Sequence, residues 1–276
     1  MSQFSYLSQK ILDADFFDVP CKHLEINNFL SDEHLDIILT DKQIHFDEVN
    51  DTETLINKLN KLNYKIQNFP GCISDSNLYL KLLNSGQLGV VKLDTPVESY
   101  GITYRLDNYK NNFIKDLINY MNGSEFKNAL EEKFKITRKN NIISAIQKNL
   151  TRYEISPHPD IKEKCLTYLL NINKDDSVES YDVHTYLLSF KDEYKHIPEV
   201  WRTNTKIDRC WVPWSWCNIS KTISKNNTLV MFQPADDTLH AIKLDYDHTK
   251  FQRTQIYGNL MYSNPRQFKK ITYKDL

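Results

Sequence analysis

Three histidines in this sequence are followed two residues later by an aspartate, in pairs that begin at His34, His45 and His158. In an extended chain, residues two apart point to the same side, so such a pair can supply two ligands to one metal ion. In a helix the same step turns about 200° and separates the side chains. The pair at His34 falls in a predicted helix and the pair at His45 precedes an acidic turn, so we interpret both as surface residues. His158 and Asp160 directly follow a predicted strand and are therefore the candidate ligands.

A third ligand and an anion-binding residue come later in the chain. His240 opens a predicted strand after a polar turn, and Arg253 begins the next strand 13 residues on. Neighbouring antiparallel strands can bring both close to His158 and Asp160. Two histidines and one carboxylate on one face leave open coordination positions, an arrangement that suits non-haem Fe(II) and oxygen chemistry. A buried Arg253 would need an anion, and its planar guanidinium could hold the far carboxylate of a dicarboxylic cosubstrate through two parallel hydrogen bonds.

With its residues in this order, the chain resembles the Fe(II)- and 2-oxoglutarate-dependent dioxygenases over most of its length. The resemblance rests on His158-Pro159-Asp160, on the strand LTYLLNIN that follows, on TLVMFQPADDTLHAIK around His240 and on QRTQIYGN around Arg253. The early segment KHLEINNFLSDEHL also looks like the opening strand and helix of the family. The order of HxD motif, distal histidine and arginine on the next strand is more specific than any of its parts.

The resemblance implies a double-stranded β-helix in which His158, Asp160 and His240 ligate Fe(II) and Arg253 binds the C5 carboxylate of 2-oxoglutarate. The implied reaction consumes O₂, releases succinate and CO₂, and most simply hydroxylates an unactivated C–H bond; desaturation and ring formation stay open. Because Asp160 is a carboxylate, the site lacks the vacancy that halogenating relatives keep for chloride.

Two further positions carry over from the resemblance less directly. Family members often place a tyrosine on the strand before the HxD motif, hydrogen-bonded to the cosubstrate, and Tyr153 occupies that region here. Asn171 lies on the strand after the motif, where relatives carry a polar cosubstrate-binding residue that is often tyrosine. The departure to asparagine leaves the role of Asn171 open, and a buried sheet tyrosine needs a polar partner in any fold.

Two other functions stay open on this residue pattern. A cupin-like binding module would use a divalent ion structurally or to hold a ligand, without redox turnover, but it has no reason to place Arg253 opposite the metal. A zinc hydrolase also needs three ligands and an open position, together with a general base near the metal. The sequence nominates no such base, so the oxygenase is the favoured function.

The elements that must position these residues change in character near residue 139. Before it, apolar residues three and four apart predict amphipathic helices, the first capped by Ser31 or Asp32. After it, short runs rich in β-branched and aromatic residues alternate with turns and predict strands. We therefore expect one α+β domain, 1–276, with a helix-rich part (1–138) packed on a jelly-roll core (139–276), which the resemblance implies is the double-stranded β-helix. The expected helices are 31–40, 55–66, 78–83, 110–121 and 124–134, and the expected strands are 142–147, 150–155, 165–172, 183–190, 228–234, 239–246 and 253–262.

A long segment between the two halves of the metal motif, within 178–220, holds all four tryptophans. Long irregular segments of compact domains often carry function, and ligand pockets are commonly lined by aromatic residues. Trp211 and Trp214 are therefore candidate substrate contacts, against the alternative that they fill the core. Arg209 is the candidate contact for a substrate carboxylate or phosphate.

Composition narrows the partners without naming the substrate. Lys plus Arg number 35 against 36 Asp plus Glu, a net charge of −1, which offers no basic surface to nucleic acid or an anionic membrane. Neither an export signal nor a run of 18 apolar residues is visible, and five scattered cysteines suit a reducing compartment, so we expect a cytoplasmic protein. A small molecule or a peptide is the expected partner; its identity and the oligomeric state are not indicated.

Overall fold

The computed structural model describes residues 2–89 and 94–276 and shows a mixed α/β protein with two antiparallel sheets. The helices are α1 (Ser5–Asp13), α2 (Asp32–Thr40), α3 (Thr52–Lys61), α4 (Ser76–Asn84), α5 (Asn112–Met121), α6 (Ser124–Phe134) and α7 (Ile197–Thr203). The strands are β1 (His23–Asn27), β2 (Tyr64–Ile66), β3 (Thr103–Leu106), β4 (Asn140–Asn149), β5 (Glu154–His158), β6 (Lys164–Asn171), β7 (Thr185–Phe190), β8 (Cys217–Ile223), β9 (Thr228–Phe232), β10 (His240–Lys243) and β11 (Arg253–Tyr262). Among the described residues, no helix has the length and apolar character needed to cross a membrane.

The larger sheet has seven strands in the order β1-β9-β6-β11-β4-β3-β2, and the smaller has four in the order β5-β10-β7-β8. From β4 to β11 the chain passes repeatedly from one sheet to the other, so strands far apart in sequence become neighbours. In the smaller sheet His240 stands opposite His158. In the larger sheet Arg253 stands opposite Asn149. Strand pairing therefore brings the residues of the candidate site together.

The central strand β11 shows how alternation along a strand separates packing from chemistry. Ile256 and Leu260 are fully buried in the large apolar cluster that joins the sheet to the helices. The residues that alternate with them face a cavity lined by both sheets: Arg253, Gln255, Tyr257 and Asn259. The apolar half of the alternation holds the fold together, and the polar half forms one wall of the site.

Helices cover the outer face of the seven-stranded sheet. Leu117 of α5 and Leu130 of α6 are fully buried in the cluster that also contains Ile256, and each such side chain contributes about 1.5–3 kcal/mol relative to an exposed one. A smaller apolar cluster joins the two sheets through Leu169 of β6 and Leu187 of β7. The sheets are thus held face to face beside the cavity.

Gly258 of β11 is required by a close approach within the larger sheet. It pairs with Tyr168 of β6, and a Cβ at position 258 would lie 2.2 Å from the Tyr168 ring. The Tyr168 hydroxyl, fully buried with its ring, forms a hydrogen bond with the Ser144 hydroxyl of β4. The absent side chain makes room for a tyrosine that ties β6 to β4 across β11.

Several sequence expectations are confirmed and others need correction. The Ser31 side chain caps α2 by accepting a hydrogen bond from the His34 backbone at 3.3 Å. The helix expected over 55–66 ends at Lys61, because Asn63 adopts a left-handed backbone with φ 67° and the next residues form β2. The sequence pattern does not predict strand β8. It is an edge strand with most of its residues exposed, so its sequence lacks the alternation of apolar and polar residues that marks a half-buried strand.

Candidate metal centre and its cavity

Two strands and the turn after one of them position the candidate metal ligands. His158 ends β5, and His240 begins β10 directly opposite it. Asp160 follows in a left-handed backbone conformation with φ 64°, which aspartate tolerates better than most residues. One ligand atom from each of the three residues lies within 4.8 Å of the other two. Within the described residues, no other group of three histidine, cysteine or acidic side chains meets in this way.

Hydrogen bonds to backbone carbonyls determine which nitrogen of each imidazole is available. His158 Nδ1 lies 2.9 Å from the Ser156 carbonyl, and His240 Nδ1 lies 3.3 Å from the Thr238 carbonyl. A carbonyl only accepts, so we assign the proton to Nδ1 in both rings. This leaves the two Nε2 lone pairs directed towards Asp160, at 3.5 and 3.7 Å from its carboxylate oxygens.

Asp160 is held as a carboxylate. Lys164 Nζ donates to Oδ1 at 2.6 Å, and the Thr167 hydroxyl donates to Oδ2 at 2.6 Å. Burial would raise the pKa of Asp160, but its neighbours, foremost the charge of Lys164, hold the pKa well below its usual value. Burial and the neighbouring His158 lower the pKa of His240 to about 3, so this ring stays neutral. Each carboxylate oxygen keeps a further lone pair, and the donor set fits a divalent first-row metal.

The three ligands open onto a cavity of about 430 Å³ that both sheets line. Its floor includes Leu169 of β6, and Ile155 of β5 and Ile242 of β10 face it from the smaller sheet. Apolar walls with a few polar side chains are the usual composition of a ligand site. The cavity is large enough for a small molecule beside a bound ion.

Arg253 lies in this cavity as a buried cation without an anionic partner. It is 2% exposed, and its three hydrogen bonds go to neutral acceptors: Nε to the Val183 carbonyl at 2.7 Å, Nη1 to Asn149 Oδ1 at 2.7 Å and Nη2 to Thr185 Oγ1 at 2.8 Å. Residues 2–89 and 94–276 place no carboxylate within 4.0 Å of it. Burial lowers its pKa to about 10, so it remains a cation at neutral pH. Two of its five N–H groups are left for an anionic ligand.

Of the two further cosubstrate-binding residues that the resemblance implies, Tyr153 lines the cavity and Asn171 does not. Tyr153 is buried and lines it, and burial raises the pKa of its phenol, which therefore stays protonated at neutral pH. Asn171 does not line it. Its Oδ1 accepts from Gln255 Nε2 at 2.6 Å, and Gln255 is the residue that faces the cavity.

Of the three candidate substrate contacts, Trp211 lines the cavity, whereas Trp214 and Arg209 do not. Trp211 lines the cavity and stacks on His158, with ring centroids 5.5 Å apart and planes at 23°. Trp214 lies outside the lining and donates from Nε1 to Glu154 at 2.7 Å. Arg209 also lies outside, where its Nε donates to Asp236 at 2.7 Å, so a carboxylate of the protein already neutralises it.

The other two His-x-Asp pairs do not form sites. His34 packs against Phe113 with ring centroids 4.9 Å apart, while Asp36 is exposed. The surface interpretation of His45 is wrong, because this ring is 6% exposed and burial, together with the charge of Lys148, holds its pKa well below the usual value. Asp47 is exposed beside Lys42, 3.2 Å away.

Sequence reasoning misses several residues of the cavity, among them Lys164, Tyr257 and Arg105. Tyr257 could have been found, because it lies four residues after Arg253 on one strand and so shares its face. Lys164 is one helical turn from Asp160 in sequence, but the turn and strand between them give no periodic signal. Arg105 belongs to β3, in a half of the chain that reads as helical, and nothing in its local pattern indicates a site.

Comparison with known proteins found no family model and no curated protein that matches. Among solved structures, the chain is similar to a prolyl-4-hydroxylase from Pseudomonas putida, at 7% identity and a TM-score of 0.45, covering 94% of this chain and 99% of the other. It is similar to a prolyl hydroxylase from Trichoplax adhaerens, solved with a hypoxia inducible factor peptide fragment, at 11% identity and 0.43, covering 94% and 91%. It is also similar to the non-heme alpha ketoglutarate dependent carbocyclase SnoK from nogalamycin biosynthesis, at 9% and 0.39, covering 98% and 88%. At these values, the function has to be argued from the residues of the site.

Proposed function

We propose that this protein is a non-haem Fe(II)- and 2-oxoglutarate-dependent dioxygenase. The observation that carries the proposal is that Arg253, a buried cation without a carboxylate partner in the described part of the chain, shares one cavity with His158, Asp160 and His240. A three-ligand cluster alone suits several metals and reactions. The buried guanidinium adds the need for an anion, and 2-oxoglutarate has a metal-chelating 2-oxo acid at one end and a carboxylate at the other.

The connectivity of the strands supports the proposal. Of the eight strands β4–β11, the larger sheet takes β4, β6, β9 and β11 and the smaller takes β5, β7, β8 and β10. This division supports a double-stranded β-helix, a fold in which two four-stranded sheets face each other across a ligand site. We assign this core, extended by β1, β2 and β3 and covered by helices, to one domain over residues 1–276.

The polar residues around the candidate metal site have defined tasks in this proposal. His158 and His240 hold the ion through Nε2 and Asp160 through its carboxylate, whose orientation is kept by Lys164 and Thr167. When bound, the iron supplies the oxidising chemistry with 2-oxoglutarate and O₂, and succinate and CO₂ are the products. The protein's own residues orient the ligands and exclude water.

Cosubstrate contacts complete the assignment. Arg253 uses its two remaining N–H groups for the C5 carboxylate, which charge-assisted hydrogen bonds favour. Tyr153 is a second donor, and Asn171 acts on the cosubstrate only through Gln255. Hydroxylation of a small molecule or a peptide residue is the proposed reaction; desaturation and ring closure use the same residues.

A metal-dependent hydrolase is the second candidate, because the structure supplies the base that the sequence does not nominate. Glu98 lines the cavity, and burial raises the pKa of its carboxyl, as a general base requires. Arg253 argues against this candidate, because hydrolysis by a metal-bound hydroxide does not need a buried guanidinium beside the metal site. A cupin-like binding module meets the same objection.

Anaerobic titration of Fe(II)-loaded protein with 2-oxoglutarate tests the proposal. We expect a visible metal-to-ligand charge-transfer band in the wild type and none in His240→Ala. Arg253→Lys keeps a cation but loses the two-pronged contact, so its half-saturating 2-oxoglutarate concentration should rise roughly 10- to 100-fold, since one hydrogen bond to a charged group is worth about 1.5–3 kcal/mol. Arg209→Lys, altered outside the cavity, is the matched control and should titrate like the wild type.

The outcomes distinguish the candidates. A wild type that binds metal but forms no band lacks the chelating site, and the binding-module interpretation then takes over. Loss of metal-dependent ester or amide hydrolysis in Glu98→Gln, measured in parallel with Zn(II), would support the hydrolase. An unchanged titration in Arg253→Lys would remove this residue from the cosubstrate site.

A further inference from the structure

One part of the cavity wall lies outside the eight alternating strands. Arg105 is on β3, and the segment 67–70 that follows β2 lines the cavity next to it. The two strands pair with each other, and β3 pairs with β4 so that Arg105 stands opposite Gln147. This added pair of antiparallel strands brings a second arginine to the cavity that holds the candidate metal ligands.

The charges of the lining residues leave this arginine unpaired. Lys164 is neutralised by Asp160, and Arg253 is assigned to the cosubstrate. Arg105 has no carboxylate within 4.0 Å in residues 2–89 and 94–276, and Glu98, which also lines the cavity, is beyond that distance. The cavity therefore contains one more guanidinium than the proposed cosubstrate uses.

Two contacts position the Arg105 side chain but leave most of its hydrogen-bond donors without an acceptor in the described residues. Its guanidinium carbon lies 5.4 Å from the centre of the Tyr257 ring, and its Nε approaches Gln147 Oε1 at 3.5 Å. Both contacts are weak, and at least four of its five N–H groups have no protein acceptor in the described residues. A half-buried guanidinium with free donors in a cavity is suited to an oxyanion.

Arg105 and Arg253 occupy different positions on the larger sheet. Arg105 of β3 pairs with Gln147 of β4. Arg253 of β11 pairs with Asn149, two residues further along β4 and on its other side. Strand spacing and rise put their Cα atoms about 12 Å apart. The two guanidinium groups are hydrogen-bonded to different residues of β4, Gln147 and Asn149, so they can serve two anion positions in the cavity.

We propose that Arg105, assisted by the Gln147 amide, binds a carboxylate or phosphate group of the substrate. The proposal rests on the oxygenase function, because it assigns Arg253 to the cosubstrate. It moves the substrate-anion contact from Arg209, which Asp236 neutralises, to a residue inside the cavity. The substrate class is thus an acid or a phosphate ester with its reacting carbon near the metal ligands.

Paramagnetic relaxation tests this proposal without a known substrate. The protein is loaded with Co(II) and saturated with N-oxalylglycine, an unreactive analogue of 2-oxoglutarate, so that the Arg253 position is filled. ¹³C-labelled acetate and methyl phosphate are then titrated separately, and the relaxation rate of the ¹³C or ³¹P nucleus is followed. We expect saturable enhancement with at least one probe, and the probe that binds distinguishes a carboxylate from a phosphate substrate.

Variants identify the residue responsible. Arg105→Met should weaken binding of the probe at least tenfold, Arg105→Lys should retain part of it, and Arg209→Met should leave it unchanged. Absence of saturable enhancement in the wild type, or equal enhancement in Arg105→Met, would overturn the proposal. A weaker affinity of Arg105→Met for N-oxalylglycine would also overturn it, since Arg105 would then belong to the cosubstrate site.

Failure of the oxygenase function has a different signature. In that case the wild type forms no charge-transfer band with Fe(II) and 2-oxoglutarate, and the assignment of Arg105 falls with it. If the charge-transfer band is normal but neither acetate nor methyl phosphate shows enhanced relaxation, only the substrate-anion site is ruled out.

Discussion

Lys148 of β4 is a fully buried cation on the helix-facing side of the sheet, and replacing it by methionine should stabilise the protein. Its ammonium donates to Thr254 Oγ1 at 2.7 Å and lies 5.6 Å from the Phe46 ring centre and 5.7 Å from that of Tyr64. The described residues place no carboxylate within 4.0 Å of it. Burial lowers its pKa from 10.5 to about 7.

The size of the effect follows from that pKa. A fall from 10.5 to about 7 corresponds to about 5 kcal/mol of destabilisation of the folded state while the amine is charged in both states. Between those two pH values the unfolded chain binds more protons, so the Lys148 contribution to stability rises with pH. Methionine loses the hydrogen bond to Thr254, worth about 1 kcal/mol. Lys148→Met should therefore be about 3–4 kcal/mol more stable than the wild type at pH 6, and the difference should shrink towards pH 10.

Urea unfolding at pH 6 and pH 10 measures this difference. Lys65→Met, at an exposed position of β2, is the matched control and should change the free energy of unfolding by less than about 0.5 kcal/mol. If Lys148→Met is no more stable than the wild type at pH 6, burial of the ammonium does not destabilise the folded protein. If the gain in stability does not depend on pH, desolvation of the ammonium is not its source.

Further predictions concern the fold, its pH dependence and the metal ligands. Gly258→Ala should destabilise the protein by more than about 2 kcal/mol in urea unfolding, because the new Cβ would overlap the Tyr168 ring. Burial lowers the pKa of His248 to about 4, so from pH 6.5 to pH 4 the wild type should lose up to about 3 kcal/mol more stability than His248→Asn; parallel loss in both would contradict this. Lys164→Met removes the cation beside Asp160 and should bind Co(II) at least about tenfold more tightly in chelator competition, whereas Lys164→Arg should stay near the wild type.

The convergence of the candidate metal ligands was predictable because their spacing is tied to backbone geometry. His158 ends β5 and Asp160 follows it by only two residues, so the two side chains stay close whatever the rest of the fold does. The strands with His240 and Arg253 follow from local alternation. The structure brings these four residues into one cavity, as expected.

Other parts of the site depend on contacts that no local pattern encodes. Arg209 and Arg105 have the same side chain, but Asp236, 27 residues from Arg209, neutralises the first, and pairing of β3 with β4 carries the second into the cavity. Strand β3 lies in a part of the chain where helical periodicity dominates. Long-range pairing therefore decides which arginine can bind a ligand.

The stacking of Trp211 on His158 gives the protein an internal optical reporter. Indole emission is quenched by a nearby paramagnetic ion, and the other three tryptophans are not among the residues that line the cavity. Metal binding should therefore quench the fluorescence of Trp211, one of the four tryptophans, so that occupancy can be measured without a label. Trp211→Phe should abolish the quenching while leaving the three ligands in place.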